Sequence, residues 1–174
     1  FEWSKGVDNE IVGLTEKVDS NNISDRIDYR DIPFVTIDGE DARDFDDAVF
    51  CQKNDNKKEI SWRLLVAIAD VSNYVKKESE LNDEARLRGT SVYFPDRVIP
   101  MLPEVLSNGL CSLKPHVDRY SLVCELNIDN SGKVKDFSFY KGIIKSVVRL
   151  TYTEMSSIVV DKDSDVRKKY NAIV

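Results

Sequence analysis

Histidine and cysteine are scarce in this chain, and their scarcity closes off whole classes of chemistry. The one histidine, His116, has no second to pair with, which argues against a histidine-ligated metal and against a Ser–His–Asp triad. The three cysteines, Cys51, Cys111 and Cys124, are odd in number and widely spaced, with no C-x-x-C pair. Neither a zinc site nor a disulfide framework fits them; buried free thiols in a reducing compartment do. Long apolar runs are missing too. The longest, LLVAIA from Leu64 to Ala69, is far short of the ~20 residues needed to span a bilayer, so no membrane partner is expected. The first residues, FEWSKGVDNE, lack a basic head followed by an apolar stretch, so no secretory signal is read and a cytoplasmic location is expected. They begin on Phe rather than Met, the mark of a segment cut from a longer protein. Excess positive charge is the last absence. A net charge of −6 speaks against nucleic-acid binding, because phosphate contacts normally come from a basic face.

What is present is ordinary for a globular domain. The 174 residues suffice for one sizeable core, and 41% hydrophobic with 32% charged residues is the usual balance. The spacing of Ile11, Leu14 and Val18 is weakly helical, and SNNISD (Ser20–Asp25) reads as a loop. PFVTID reads as a strand with Pro33 at its start, where the missing N–H matters little. DDAVFCQK is a second strand, NDNKK a turn, and SWRLLVAIADVSNYV a third strand ending near Asp70. ESELNDEARLRG is helical with Gly89 as its stop. TSVYFPDRVIPMLP is extended and punctuated by proline, and PEVLSNGL is a short helix ended by Asn-Gly. NSGK joins YSLVCELNID and VKDFSFYKGIIKS as a hairpin. TYTEMSSIVV, with a Thr cap, and SDVRKKYNAIV are helical, the last running uncapped to Val174, so the domain is expected to continue beyond it. The fold class is α+β, a mixed or antiparallel sheet with flanking helices.

One stretch stands apart from this pattern. In FVTIDGEDARDFDDAVF, six of the ten residues from Asp38 to Asp47 are acidic, and apolar strands bracket them. Like charges so close repel, so a positive partner is expected. Asp38 ends one strand and Asp47 opens the next, which can bring them side by side. Asp44 and Asp46, two residues apart, point the same way if that piece is extended. Four carboxylates can then converge, with Gly39 giving the chain room to turn. Oxygen ligands without histidine or thiolate select magnesium, manganese or calcium. An EF-hand loop is rejected, since no Gly falls sixth from Asp38 or Asp44. DKDSDV imitates that loop better, but Val166 replaces its Gly and Ala172 its Glu, so Asp161, Asp163 and Asp165 read as a solvated loop. An exposed acidic turn is the plain alternative for Asp38–Asp47; Phe45 inside the run opposes it. Magnesium held by carboxylates commonly serves phosphoryl chemistry, with a further carboxylate orienting the attacking water.

Taken together, IPFVTIDGEDARDFDDAVF, WRLLVAIADVSNYV, RGTSVYFPDRVIPMLPEVLSNGLCSLKP, DRYSLVCELNID and RLTYTE resemble the catalytic RNB domain of the ribonuclease II family, with its bacterial ribonuclease R branch as the best fit. The resemblance runs the length of the chain in consistent order, and the I-D-x-x-x-x-x-D-x-D-D run is highly specific. It implies a processive, hydrolytic 3′-to-5′ exoribonuclease that acts on the 3′ end of single-stranded RNA and releases nucleoside 5′-monophosphates. It also implies Mg2+, with Mn2+ as a substitute, at the four aspartates. Asp38 and Asp47 match the direct ligands, Asp44 a supporting ligand, and Asp46 the residue most critical for hydrolysis. Tyr93 matches a tyrosine that holds the last nucleotides, and Tyr152 one that stacks on a terminal base, which suits a sequence-blind nuclease. Arg86, Arg88, Arg97 and Arg119 are candidate phosphate contacts, and Asp70 a turn or site-supporting carboxylate. The family's catalytic domain is longer than this chain. Residues 1–174 therefore read as its N-terminal portion, without the later arginine and glutamate and without the flanking cold-shock and other OB-fold domains, and inactive alone. The missing parts would supply the basic RNA path. The rival reading is a non-catalytic RNA-binding relative.

Overall fold

The computed structural model describes residues 2–15, 17–19, 23–54 and 61–171. Its strands are β1 (Ile27–Asp28), β2 (Val35–Asp38), β3 (Asp47–Lys53), β4 (Trp62–Ala69), β5 (Val92–Tyr93), β6 (Val98–Ile99), β7 (Asp118–Ile128), β8 (Val134–Lys145) and β9 (Val148–Thr151). All but β5 and β6 join one sheet, in the order β1-β8-β7-β4-β3-β2-β9. The inner strands are antiparallel, while β1 lies parallel to β8 and β9 parallel to β2. The expected α+β class with a mixed sheet is thus what forms. β5 and β6 make a separate small hairpin from the segment read as merely extended.

Alternation along the strands sorts the side chains. Leu65, Ala67 and Ala69 of β4 and Val123 of β7 face a core closed by Phe34, Phe45, Leu81, Leu106, Leu110 and Leu113. The opposite face is covered at one end. There Leu150, Ile158 and Tyr170 pack with Val35, Ile37 and Val148. The middle of that face leaves Ile68, Leu122, Phe137 and Phe139 exposed. Close packing on the core side explains one glycine: a Cβ at Gly142 would stand 2.9 Å from the Tyr29 ring.

The helices are short. Helix α1 (Lys5–Ile11) is capped by Ser4 and ends well before Val18, so the weak periodicity there does not extend it. Helix α2 (Glu80–Arg88) begins on the Ser79 cap and stops where Gly89 turns left-handed at φ 74°, as its sequence indicates. PEVLSNGL forms a π-helical turn, Val105–Leu110, rather than an ordinary short helix. Helix α3 (Tyr152–Ser156) carries a full capping box between Thr151 and Glu154 and passes into a second π turn, Ser157–Asp161. Helix α4 (Ser164–Lys169) ends at Lys169 instead of running to the end of the chain. Asp163 is its N-cap, accepting from the amides of Asp165 and Val166, so DKDSDV is a helix entry. Most of the expected NDNKK turn, Ser20–Asn22 and the last three residues lie outside the described residues. Among the described residues no helix is long and apolar enough to cross a membrane. Cys111 is buried, but Cys51 is exposed on the outer side of β3, against the expectation that all thiols are internal.

Asp70, at the end of β4, is a structural carboxylate. It is 2% exposed and accepts from Arg26 Nη2 at 2.7 Å and from Ser72 Oγ at 2.6 Å. Arg26 also donates to Asn73 Oδ1 and lies 4.1 Å over the Tyr120 ring. Burial raises the Asp70 pKa, but the Ser72 and Arg26 hydrogen bonds outweigh it and hold the carboxyl below its usual value. Arg26→Met strands a buried charge and should destabilise the domain by about 3–5 kcal/mol in urea unfolding at neutral pH. A lowered acid pKa adds stability that is present above the unfolded value and lost as pH falls through the folded one. The loss in the variant should therefore shrink as pH falls below about 4; a loss below ~1 kcal/mol at pH 7 would show the pair contributes little.

Candidate active site

The acidic segment joins the end of β2 to the start of β3, and three pieces of backbone pin it. Phe45 is buried, its amide donates to Ser112 Oγ at 3.0 Å, and its carbonyl accepts from Leu113 N at 2.8 Å. Ser112 Oγ in turn donates to the Arg43 carbonyl. The carbonyl of Asp46 accepts from Ala69 N at 2.9 Å. At the front of the segment Arg149 Nη2 donates to the carbonyls of Gly39 and Glu40, and Thr153 Oγ1 donates to the Glu40 carboxylate at 2.6 Å. Gly39 does not provide the turn: it has no positive φ, and a Cβ there would meet nothing within 4 Å. Hydrogen bonds to its carbonyl from Arg149 and Ala42 shape the chain instead.

Held this way, the four aspartates repel one another across the strand ends. Asp38 shares the face of Thr36, whereas Asp47 pairs with Ile68 on the other face, and the Asp47 charge nevertheless acts on the Asp38 carboxyl. Desolvation first, then Asp47 and Asp44, push the Asp38 carboxyl up, with Arg149 opposing. Asp46 reaches solvent, yet desolvation followed by the charges of Asp44, Asp38 and Asp47 raises its pKa as well. Among the described residues no three His, Cys, Asp or Glu side chains are gathered tightly enough to hold a metal ion as they stand. The donor set nevertheless suits a hard divalent cation: it is all oxygen, and the buried Asp38 Oδ2 accepts no hydrogen bond.

The two tyrosines flank this cluster differently. Tyr93, on the β5–β6 hairpin, donates its hydroxyl to Asp44 Oδ2 at 2.9 Å while its ring is 65% exposed. The Asp44 bond, with burial, raises the phenol pKa. Phe94 beside it is exposed under the Arg97 guanidinium. Tyr152 opens α3 directly after Thr151, the register partner of Asp38, and its ring is 64% exposed. Among the described residues it makes no hydrogen bond to the aspartates.

Of the four arginines considered as phosphate contacts, two are committed elsewhere. Arg119 is 3% exposed and donates to the Ser112 and Asp118 carbonyls. Arg88 pairs with Glu84 and lies 3.7 Å over the Trp3 ring. Arg86 and Arg97 remain on the surface. Sequence reading passed over Arg149, Ser112 and Thr153. Arg149 stands at the head of RLTYTE, and only the parallel pairing of β9 with β2 reveals what it touches.

A carboxylate-rich loop at the end of a mixed sheet, flanked by exposed aromatic rings, defines an acidic site suited to a divalent cation and a flexible ligand with stacking groups. The RNB domain model matches residues 26–172, and the chain belongs to that family. It is 53% identical over its whole length to ribonuclease R of Vibrio parahaemolyticus, and 53% identical over 172 residues to that of Escherichia coli. It spans about one fifth of each, 20% and 21% of their lengths. Its fold matches Mycoplasma genitalium RNase R in complex with ribose methylated single-stranded RNA at a TM-score of 0.84 and 35% identity, covering 99% of this chain and 27% of that one. Yeast Ssd1, a pseudonuclease, shares the fold at a TM-score of 0.71 and 17% identity, covering 82% of this chain and 18% of that one.

An acid whose pKa rises on folding weakens the fold above the ordinary carboxylate range and ceases to do so as pH falls. Asp38→Asn and Asp46→Asn should therefore raise Tm in metal-free buffer by roughly 1–3 °C at pH 7 and hardly at pH 4. Millimolar Mg2+ should raise the wild-type Tm more than that of Asp38→Asn. Equal Mg2+ shifts would place the ion elsewhere.

Proposed function

We propose that this chain is the N-terminal portion of the catalytic domain of a magnesium-dependent 3′-to-5′ exoribonuclease. The observation that carries this reading is the fastened, mutually repelling set Asp38, Asp44, Asp46 and Asp47, with Tyr93 bonded to Asp44, inside an RNB fold. The named relatives, and the RNA in the M. genitalium complex, support RNA as substrate. The chain's share of its relatives' length and the exposed apolar face of the sheet support a domain that continues; flanking cold-shock and other OB-fold RNA-binding domains and a cytoplasmic setting are part of the same proposal.

In this reading Asp38 and Asp47 hold Mg2+ directly, with Mn2+ able to replace it, and Asp44 supports the site while Tyr93 fixes its carboxylate. Magnesium, when bound, neutralises the phosphate and acidifies a water. Asp46 orients that water and takes its proton, a task that suits a carboxyl with a raised pKa. The water oxygen bonds to phosphorus as the P–O3′ bond breaks, leaving a 3′-hydroxyl on the RNA and a nucleoside 5′-monophosphate. Tyr93 and Tyr152 offer exposed rings for the last bases, and stacking is indifferent to base identity. Weak base discrimination lets each successive nucleotide occupy the same site, as a processive enzyme requires.

The test uses the intact protein carrying this chain, 5′-labelled single-stranded RNA and Mg2+. The wild type should shorten the RNA steadily to a stub and stop on EDTA. Asp46→Asn should lose at least ~100-fold in cleavage rate while binding RNA as before. RNA bound but never shortened by the wild type would make the protein a non-catalytic RNA-binding relative. Residues 1–174 alone should show no EDTA-sensitive cleavage.

A further inference from the structure

The one cation inside the acidic segment, Arg43, is exposed to solvent, and β9 supplies a second that is half-buried. Arg149 sits opposite Thr36 in the parallel register of β9 and β2, half-buried beneath the segment. Its Nη2 donates to two successive carbonyls, Gly39 and Glu40, and its guanidinium carbon lies 5.5 Å from the centroid of the Phe45 ring. One side chain therefore touches both ends of the loop: the turn just after Asp38, and the anchor between Asp44 and Asp46. The planar fork of arginine allows this, since a lysine ammonium reaches as a single point.

Two leftover groups make Arg149 more than a backbone staple. Its Nε is buried and donates to nothing among the described residues. Asp38 Oδ2 is likewise buried and accepts nothing. The site thus holds a buried donor without an acceptor and a buried acceptor without a donor. Glu40 is the acidic side chain beside Arg149, and Glu154 lies next to Glu40. Glu40 is held by Thr153, and Glu154 is already occupied by Thr151, Lys169 and Tyr170.

We propose that Arg149 is the positioning residue of this site, setting how the loop presents Asp38 and Asp44–Asp47 to a divalent cation. It acts through the loop backbone and the charge it places beside Asp38. The inference rests on the metal-dependent reading above. Residues that orient metal ligands typically change metal affinity or activity by ~10–100-fold.

The experiment compares wild type, Arg149→Met and Arg149→Lys in the intact protein. Mn2+ binding without RNA is followed by electron paramagnetic resonance, and the Mg2+ midpoint of RNA shortening and RNA affinity in EDTA are measured alongside. Arg149→Met should weaken Mn2+ binding and raise the Mg2+ midpoint by about 10-fold or more, with RNA affinity in EDTA within ~3-fold of wild type. Arg149→Lys, which keeps the charge but reaches one carbonyl, should recover part of the loss. Wild-type metal binding in Arg149→Met overturns the proposal. So does a lowered Tm and lost RNA affinity at an unchanged Mg2+ midpoint, which would make the residue merely structural. If the wild type shortens no RNA while Arg149→Met still weakens Mn2+ binding, the exonuclease reading fails and the positioning role stands.

Discussion

Mutual repulsion among Asp38, Asp44, Asp46 and Asp47 is the constraint around which this domain is arranged. Nothing intrinsic to the segment would keep four carboxylates near one another, so the surrounding fold has to. Phe45 sinks into the core, Ser112 and Leu113 take up its amide and carbonyl, Ala69 holds Asp46, and Arg149 with Thr153 secures Gly39 and Glu40. These contacts come from sequence-distant elements: the end of β4, the turn after the π segment, and the β9–α3 junction. The mixed topology brings them together, because β9 reaches the edge of the sheet parallel to β2 and delivers Arg149, Thr151 and Tyr152 to the end where Asp38 emerges.

The same strain accounts for the chemistry proposed. Two of the carboxyls titrate above their usual range because burial and neighbouring charge disfavour their ionised forms. Sites of this kind weaken a fold and are kept where function needs them. In the proposed reading a divalent cation would relieve the repulsion and take up the Asp38 oxygen that no protein donor satisfies. On the proposed reading the acidity of the chain is consistent with an RNA substrate, since the ion and Arg149 would meet the local charge and the exposed rings would offer further contacts.

How far the sequence could be read depended on the range of each interaction. The strands flanking the acidic run, helix α2 with its Gly89 stop, the Thr151 cap and the β7–β8 hairpin are written in local patterns and were legible. The two π turns were not, because they differ from an α-helix by one residue of hydrogen-bond spacing. The early end of α4 had no sequence breaker to announce it. At the site, residue types and spacing pointed to the four aspartates, and the RLTYTE and SVYFP resemblances to the tyrosines. Arg149 was invisible without the β2–β9 pairing, a contact across more than a hundred residues. Arg119 misled for the converse reason, since its burial against Ser112 and Asp118 follows from tertiary packing alone.

Whether the Asp38–Asp47 loop is built for a divalent cation can be tested without reference to activity, by anomalous diffraction from crystals soaked in Mn2+. A peak enclosed by Asp38, Asp47 and Asp44 or Asp46 is expected, with the loop carbonyls still on Arg149. No peak there at millimolar Mn2+, or one confined to the Asp161–Asp165 surface, would rule a metal loop out.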